Sequence, residues 1–530
     1  MKIQSLTKIT IAVLATLGAL QAHAYVHEST GMDTQVDGIH EIDSDRLFNW
    51  KFIGANYDNN GPGVIQEVEG ETQISFPIID DYGDHSVEDF DANTYSDVAY
   101  TVTGQTLLNV SPQIEYVTIY GAGVVYGSVG LYGHNSATVD GDVTLEVRDV
   151  GSRSAPVDTE INIFGAGGVE TFTGDASVEG NVAINIQNVY GQEVEIIGGG
   201  RVNGVAPEGF ENYPTGKADV SGTVAINVSN SDFGQGGGIF AGGDAEGEGI
   251  TANVGGVSVV VSDVTFDSET AEEPISAIFG GGTSYTYGTA DVLGDVSIRL
   301  VRSSVDIVAG GGETLNDVEG SFENPYGKSA QVHGNVSIYL TDSKVKMLLG
   351  GGTTDGAIWG DDEHWRPIDG EYGDVSVGGD VLITVSGNSE VDSVYLAGSG
   401  VGSNVKGNST LLIDGNNTRI GHIYGAAFNS EVEGIAKIAF GSDFNGTFDT
   451  PYEAIDELEA LNGSNVAITV TDTEAAQGLT LSGAGNFNAD IRLTSGTLTV
   501  NGKVNATALS LTGNGGLVMA QNGVLTTTTD

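Results

Sequence analysis

The densest group of residues able to do chemistry in this chain is Trp359-Gly360-Asp361-Asp362-Glu363-His364-Trp365-Arg366. It holds two of the chain's three tryptophans, beside three adjacent carboxylates, an imidazole and a guanidinium. Indole faces stack on sugar rings and protein surfaces, and polar neighbours supply hydrogen bonds. Tyr372 follows closely, and Tyr285, Tyr287 and Tyr326 lie in comparable polar, glycine-bearing stretches. Tyr126, Tyr132, Phe210, Tyr213 and Phe322 belong to the same pattern. Together they form a candidate contact surface for an extracellular glycan or protein. The competing reading is that each ring folds back and packs its own loop.

The carboxylates raise a second possibility. Asp361, Asp362 and Glu363 make one acidic run, and Asp80, Asp81 and Asp84, continued by Glu88, Asp89, Asp91 and Asp97, make another. Such oxygens suit Ca²⁺. Neither run has EF-hand spacing, and no G-G-x-G-x-D nonapeptide is present. A solvated acidic face accounts for both runs as well. No cofactor is required, and Ca²⁺ is the one metal these ligands would favour.

Catalysis finds less support. Acid-assisted sugar hydrolysis needs two carboxylates about 5–10 Å apart, and acids are abundant enough here to pair by chance. A lyase would add a Lys or Arg base, yet no basic residue recurs beside a fixed acid cluster. The expectation is a protein that is not an enzyme. A polysaccharide lyase or hydrolase is one alternative, and a passive surface stalk working by reach and charge repulsion is another.

These residues must be positioned by an unusual chain. Of 530 residues, 80 are Gly, and 19 Lys+Arg face 72 Asp+Glu for a net charge of -53. That charge excludes nucleic acid and anionic lipid as partners, because phosphate binding runs on Lys and Arg. The absence of Cys excludes disulfide frameworks, thiolate zinc sites and cysteine catalysis. A hydrophobic content of 39% is enough to build a core. Residues 1–24 read as a secretory signal: Lys2 and Lys8, an apolar Ile9 to Leu20, then Ala22-His23-Ala24 as the cleavage site. Export to the cell surface, outer membrane or medium follows.

The rest repeats. A V-x-G tripeptide recurs at Val102/Gly104, Val139/Gly141, Val178/Gly180, Val220/Gly222, Val254/Gly256, Val292/Gly294, Val332/Gly334, Val377/Gly379, Val405/Gly407 and Val432/Gly434. The glycine spacings are 37, 39, 42, 34, 38, 40, 45, 28 and 27. Behind the tripeptide apolar residues alternate, as in Val143, Leu145, Val147 and Val336, Ile338, Leu340, the period of a strand with one buried face. Gly256 breaks the spacing by one residue, and Gly407 is followed by polar Ser409 at an inward position. A glycine corner then follows: Ile163-Phe164-Gly165-Ala166-Gly167, Ile278-Phe279-Gly280-Gly281-Gly282 or Leu348-Leu349-Gly350-Gly351-Gly352. The shortest repeats match one turn of a three-sided parallel solenoid, so longer ones carry insertions between the corner and the next V-x-G, all on one edge.

This predicts an all-β fold: an elongated parallel β-helix, or β-solenoid, with an N-terminal cap and one short C-terminal helix. Coils stacked about 4.8 Å apart would make a rod on the order of 60–70 Å. Asp142, Asn181, Thr223, Asp295, Asn335, Asp380 and Asn408 follow the glycine and would form a hydrogen-bonding column, its carboxylates open to neutralisation by a cation. The boundaries are 1–24 signal, 25–100 cap, 101–446 repeats with inserts, 447–464 a short helical insert and 465–530 terminal coils. The helix is placed at 451–461, after the capping-box pattern Thr450-Pro451-Tyr452-Glu453.

With the signal, the I-[FY]-G-G-G…V-x-G-[DN]-V-x-[IL] repeats and a tail such as Leu479-Thr480-Leu481-Ser482-Gly483-Ala484-Gly485, the chain resembles the passenger of a Gram-negative autotransporter, the type V secretion class. The resemblance covers most of residues 100–530. It implies an adhesin-like surface protein and an outer-membrane β-barrel translocator, in cis or in trans. The barrel usual in that family does not follow within the 530 residues, and the sequence reaches Thr529-Asp530 without a terminal aromatic. Some passengers carry a serine protease with a G-D-S-G motif. Here Gly174-Asp175-Ala176-Ser177 has the wrong order, and a nucleophilic Ser would also need a His base and an orienting acid.

Overall fold

The computed structural model describes residues 50–52, 63–68, 71–75, 78–80, 92–95, 98–103, 116–126, 136–139, 141–156, 160–169, 174–203, 216–234, 237–247, 249–266, 276–285, 287–315, 328–354, 373–426 and 429–527. They form a parallel β-solenoid. Each full coil contributes three strands, and each strand pairs with its equivalent in the next coil.

The first strands build sheet I, in which Val143–Val150, Val182–Gly191, Val220–Phe233, Val254–Phe266, Val296–Val301, Val336–Thr341 and Val381–Ser386 pair in parallel. The second strands build sheet II, from Glu160–Phe164 through Glu193–Ile197 to Glu390–Tyr395 and Arg419–Tyr424. The third strands, such as Arg201–Asn203, Asp244–Glu246, Thr283–Tyr285, Glu313–Leu315 and Thr353–Thr354, build sheet III. Every other residue of sheet I points inward, so like stacks on like. Val182, Val224, Val257, Val296, Val336 and Val381 form one column, and Ile184, Ile226, Val259, Ile298, Ile338 and Ile383 the next. All of these are buried in one continuous core, so the non-directional gain of apolar burial is collected rung by rung.

The V-x-G tripeptides mark a real column. Val139, Val178, Val220, Val254, Val292, Val332, Val377, Val405 and Val432 are joined by successive parallel bridges. Val102 is the exception. It lies in the strand Val98–Thr103 and pairs with Val147, while Tyr95 is the residue opposite Val139. The tripeptide at Val102 thus arises by chance in a glycine-rich chain. The irregularity at Gly256 is a register shift: Val220 pairs with Val254, but Thr223 pairs with Gly256. Ser409 does sit inward, fully buried, its hydroxyl donating to the Leu396 carbonyl at 2.7 Å.

At the N-terminal end Trp50–Phe52, Gly63–Val68 and Glu71–Ser75 run antiparallel to one another, and the last then pairs in parallel with Tyr116–Tyr120. Antiparallel strands thus precede the first coil. At the other end the expected helix at 451–461 does not form. Tyr452–Glu453 pairs with Ile423 and Tyr424, and Glu457–Ala460 pairs with Lys437–Phe440. Stacking wins because Leu458 and Ala460 alternate into the core, whereas an isolated helix of this length is marginal. The short helix is Asp472–Ala476, after a second T-x-x-E pattern in which the Thr471 N–H donates to Glu474 at 2.7 Å. No helix among the described residues is long and apolar enough to cross a membrane.

Candidate functional site

The last outward position of the sheet II strands is largely shielded from solvent. Tyr120, Phe164, Ile197, Phe279 and Leu349, each the residue before a glycine corner, and Tyr395, followed by Leu396-Ala397-Gly398, are buried although they point away from the main core. They stack on each other: Tyr120 on Phe164 at 4.8 Å, Phe240 on Phe279 at 5.2 Å, Tyr395 on Tyr424 at 4.8 Å. The corner lets sheet III fold back over them. A Cβ on Gly168 would lie 2.6 Å from the Tyr120 ring, so only glycine fits between these walls.

The residue directly after each G-G-G or G-G corner faces this wedge. These are Arg201, Asp244, Thr283, Glu313 and Thr353, one in-register column of sheet III. The Arg201 guanidinium sits 5.8 Å from the Phe164 ring and 3.4 Å from the Asp244 carboxylate. The Thr353 hydroxyl donates to Glu313 at 3.3 Å. From sheet II Glu195 enters, its carboxyl raised above the ordinary range by burial and partly held down by Arg201. Neighbouring Glu193 is raised by burial and by Glu195. The Tyr285 hydroxyl is pushed far above its usual range, first by burial and then by Asp244, Glu313 and Glu195. The wedge is therefore an acidic, partly desolvated cluster with one guanidinium.

Two of the residues singled out from sequence belong here. Tyr285 ends a strand of sheet III, half-buried. Tyr287 is 43% exposed on the turn that follows, where the Gly288 N–H donates to the Tyr285 carbonyl at 2.7 Å. Tyr326, Trp359, His364, Trp365, Arg366 and Tyr372, and the acids Asp81, Asp84, Asp361, Asp362 and Glu363, lie outside the described residues. Asp80 ends the strand Ile78–Asp80, paired with Tyr126. Among the described residues no group of three or more His, Asp or Glu side chains is placed to hold a metal ion. Glu195, Arg201, Asp244 and Glu313 were not singled out from sequence. The signal for three of them was their fixed place after Gly200, Gly243 and Gly312.

Three of the inserts share a root, whereas the segment 267–275 leaves from the end of sheet I, not from the edge expected of all inserts. Between Asn203 and Gly216, Leu315 and Lys328, and Thr354 and Gly373, the chain leaves from the end of sheet III. It rejoins at the bridge column Lys217, Thr251, Thr289, Ser329 and Asp374. The long segment holding Trp359 and Trp365 thus springs from the same edge as Tyr287, beside the wedge.

Along the outer corner before sheet I runs the column read from sequence. Asp142 accepts the Asn181 backbone N–H and side-chain amide at 2.7 and 3.0 Å, and Asn181 accepts the Thr223 N–H at 2.9 Å. After the break at Gly256 it resumes through Asp295, Asn335, Asp380 and Asn408. Carboxylates alternate with amides, so each is met by N–H donors. A second ladder, absent from the sequence reading, follows at the next corner, where Asp149, Asn188, Asn230, Asp263, Arg302 and Asp342 all have φ between 46° and 58°. Comparison with protein-family models, curated proteins and solved structures gives no match to this chain.

Proposed function

We propose that this chain is a passenger-type β-solenoid, exported and displayed at the cell surface or released, that adheres to a glycan or protein surface through loops along one edge. The observation that carries the reading is the common root of these three inserts. A rod whose variable, aromatic-bearing segments leave at equivalent rungs presents several contacts to one side, and linked weak contacts add into avidity. The wedge beneath them, with Glu195, Asp244 and Glu313 around Tyr285, makes the foot of the same edge acidic.

The test compares the purified chain with a variant lacking residues 355–372, on glycan arrays and on cells. Binding lost in the variant, with an unchanged far-UV spectrum and melting temperature, supports the reading. Unchanged binding, or none by either protein, leaves a passive stalk. Release of new reducing ends from a bound polysaccharide would instead favour the enzyme alternative, and Glu195→Gln would then be the first variant to assay.

A further inference from the structure

The outward face of sheet I is strikingly poor in charge for this chain. The in-register strands from Val182 to Asp414 carry on that face Ala, Ser, Thr, Asn, Gln and a few larger apolar residues. Between the Asp142–Asn408 column and the Asp149–Asp342 corner, whose exposed carboxylates border the face, the one charged side chain before Asp414 is Arg299. Elsewhere the protein carries 72 acids. Arg299 is exposed, flanked in register by Val260 and Tyr339, and no acid among the described residues pairs with it. Val260, Tyr339, Leu382 and Leu412 are only half-buried.

We propose that this face is where a second copy of the chain docks, sheet against sheet. Three arguments commit the occupant. Two molecules of net charge -53 repel least across the face whose strands carry the fewest acids. Small residues such as Ala225, Ser258, Ser297 and Ser337 let two sheets approach closely. Seven strands about 4.8 Å apart and about 20 Å long give on the order of 650 Å² per copy, or about 1,300 Å² in all, within the range of specific interfaces. A two-fold axis lying in the plane between the two sheets, parallel to the strands and midway between those of Arg299 and Tyr339, sets each Arg299 over the partner's Tyr339. That makes a reciprocal cation–π pair at the centre of an isologous contact.

Sedimentation velocity of the full chain tests this at low and high salt. The expected result is a dimer that tightens as salt screens the acidic bodies. Leu382→Asp and Thr384→Asp each bring a bare carboxylate into the face and should weaken the dimer about a hundredfold. Arg299→Ala and Tyr339→Ala should weaken it about tenfold, and as surface truncations they decide the matter should the aspartate variants fail to fold. Deleting 355–372 should leave the dimer intact, which separates this proposal from the adhesion reading. A chain monomeric at about 0.1 mM in both salts overturns it. So does a dimer indifferent to all four substitutions, or one lost instead through Val518→Asp at the exposed C-terminal rung.

Discussion

Asp380 Oδ1 accepts both the backbone N–H and the side-chain amide of Asn408, at 2.7 and 3.3 Å, across one coil of the solenoid. One rung earlier Asn335 Oδ1 accepts the Asp380 N–H at 2.9 Å, and one rung later Asn408 Oδ1 accepts the Ile435 N–H at 3.0 Å. The amide between two carboxylates both donates and accepts. It continues the ladder and keeps like charges two rungs apart.

Asn335→Asp should therefore destabilise the rod, because it removes the amide that donates to Asp295 and makes three successive carboxylates. The loss should be about 1–2 kcal/mol at neutral pH. It should shrink as pH falls through the carboxylate range near about 4, since protonation removes the repulsion. Thermal melting of the variant and of Asp380→Asn checks this. The second variant keeps the accepting oxygen and should melt close to the parent.

The glycine corners should be intolerant in proportion to what faces them. A Cβ on Gly281 would lie 2.4 Å from the Gly312 nitrogen and 2.5 Å from its Cα, both backbone atoms that stacking holds in place. Gly281→Ala should cost at least about 1–3 kcal/mol, as overpacking does. At Gly516 the nearest atom is 3.8 Å away, and Gly516→Ala should leave the melting temperature within a degree or two. Equal effects at the two sites would contradict the close-approach account.

Much of this was legible because stacking repeats each rule many times. The period-two runs, the V-x-G column and the Asp/Asn column each recur over several coils, so chance matches such as Val102 stand out only against the register. Local patterns that occur once were less secure. Thr450-Pro451-Tyr452-Glu453 and Thr471-Asp472-Thr473-Glu474 carry the same capping signal, and only the second begins a helix. What separates them is long-range: Leu458 and Ala460 have a stacking partner in Ile438 and Phe440. The wedge stayed hidden for a similar reason. Glu195 and Asp244 are far apart in sequence, and only the fold-back at the glycine corner brings them to Tyr285.

Phe440 should be the most costly single truncation near the C-terminal end. It is fully buried and meets the rings of Phe444, Phe448 and Phe487 at 4.9, 5.0 and 6.3 Å. These rings fill the place where the three-stranded coil gives way to the tighter terminal rungs. Phe440→Ala should cost about 3–5 kcal/mol. Limited proteolysis should then cut first within 440–490. Cleavage within 440–490 no faster than in the parent would mean that the terminal rungs hold without the cluster.

Glu195 should oppose stability at neutral pH. Its folded carboxyl is raised, chiefly by burial, so the folded state binds its proton more tightly than the unfolded chain does. Its favourable contribution is fully present below the unfolded value and lost as pH rises through the folded one. Glu195→Gln should raise the melting temperature at pH 7 and flatten its dependence on pH above the carboxylate range. A variant that melts lower at pH 7 would show that pairing with Arg201 outweighs desolvation.

Asp472 should behave in the opposite sense. It accepts the backbone N–H groups of Thr494 and Ser495 at 2.5 and 2.8 Å and the Thr494 hydroxyl as well, so its carboxyl is held below the usual range. A depressed folded value gives stability that is present above the unfolded value, near about 3.9, and lost as pH falls through the folded one. The side chain is partly exposed at the surface, so the effect should be local rather than global. Acidification should speed hydrogen exchange at the Thr494 and Ser495 amides before the core strands respond. Asp472→Ala should give that fast exchange already at pH 7 and remove its pH dependence, because both amides then lack their acceptor. Slow exchange retained in Asp472→Ala would mean that backbone stacking alone protects this corner.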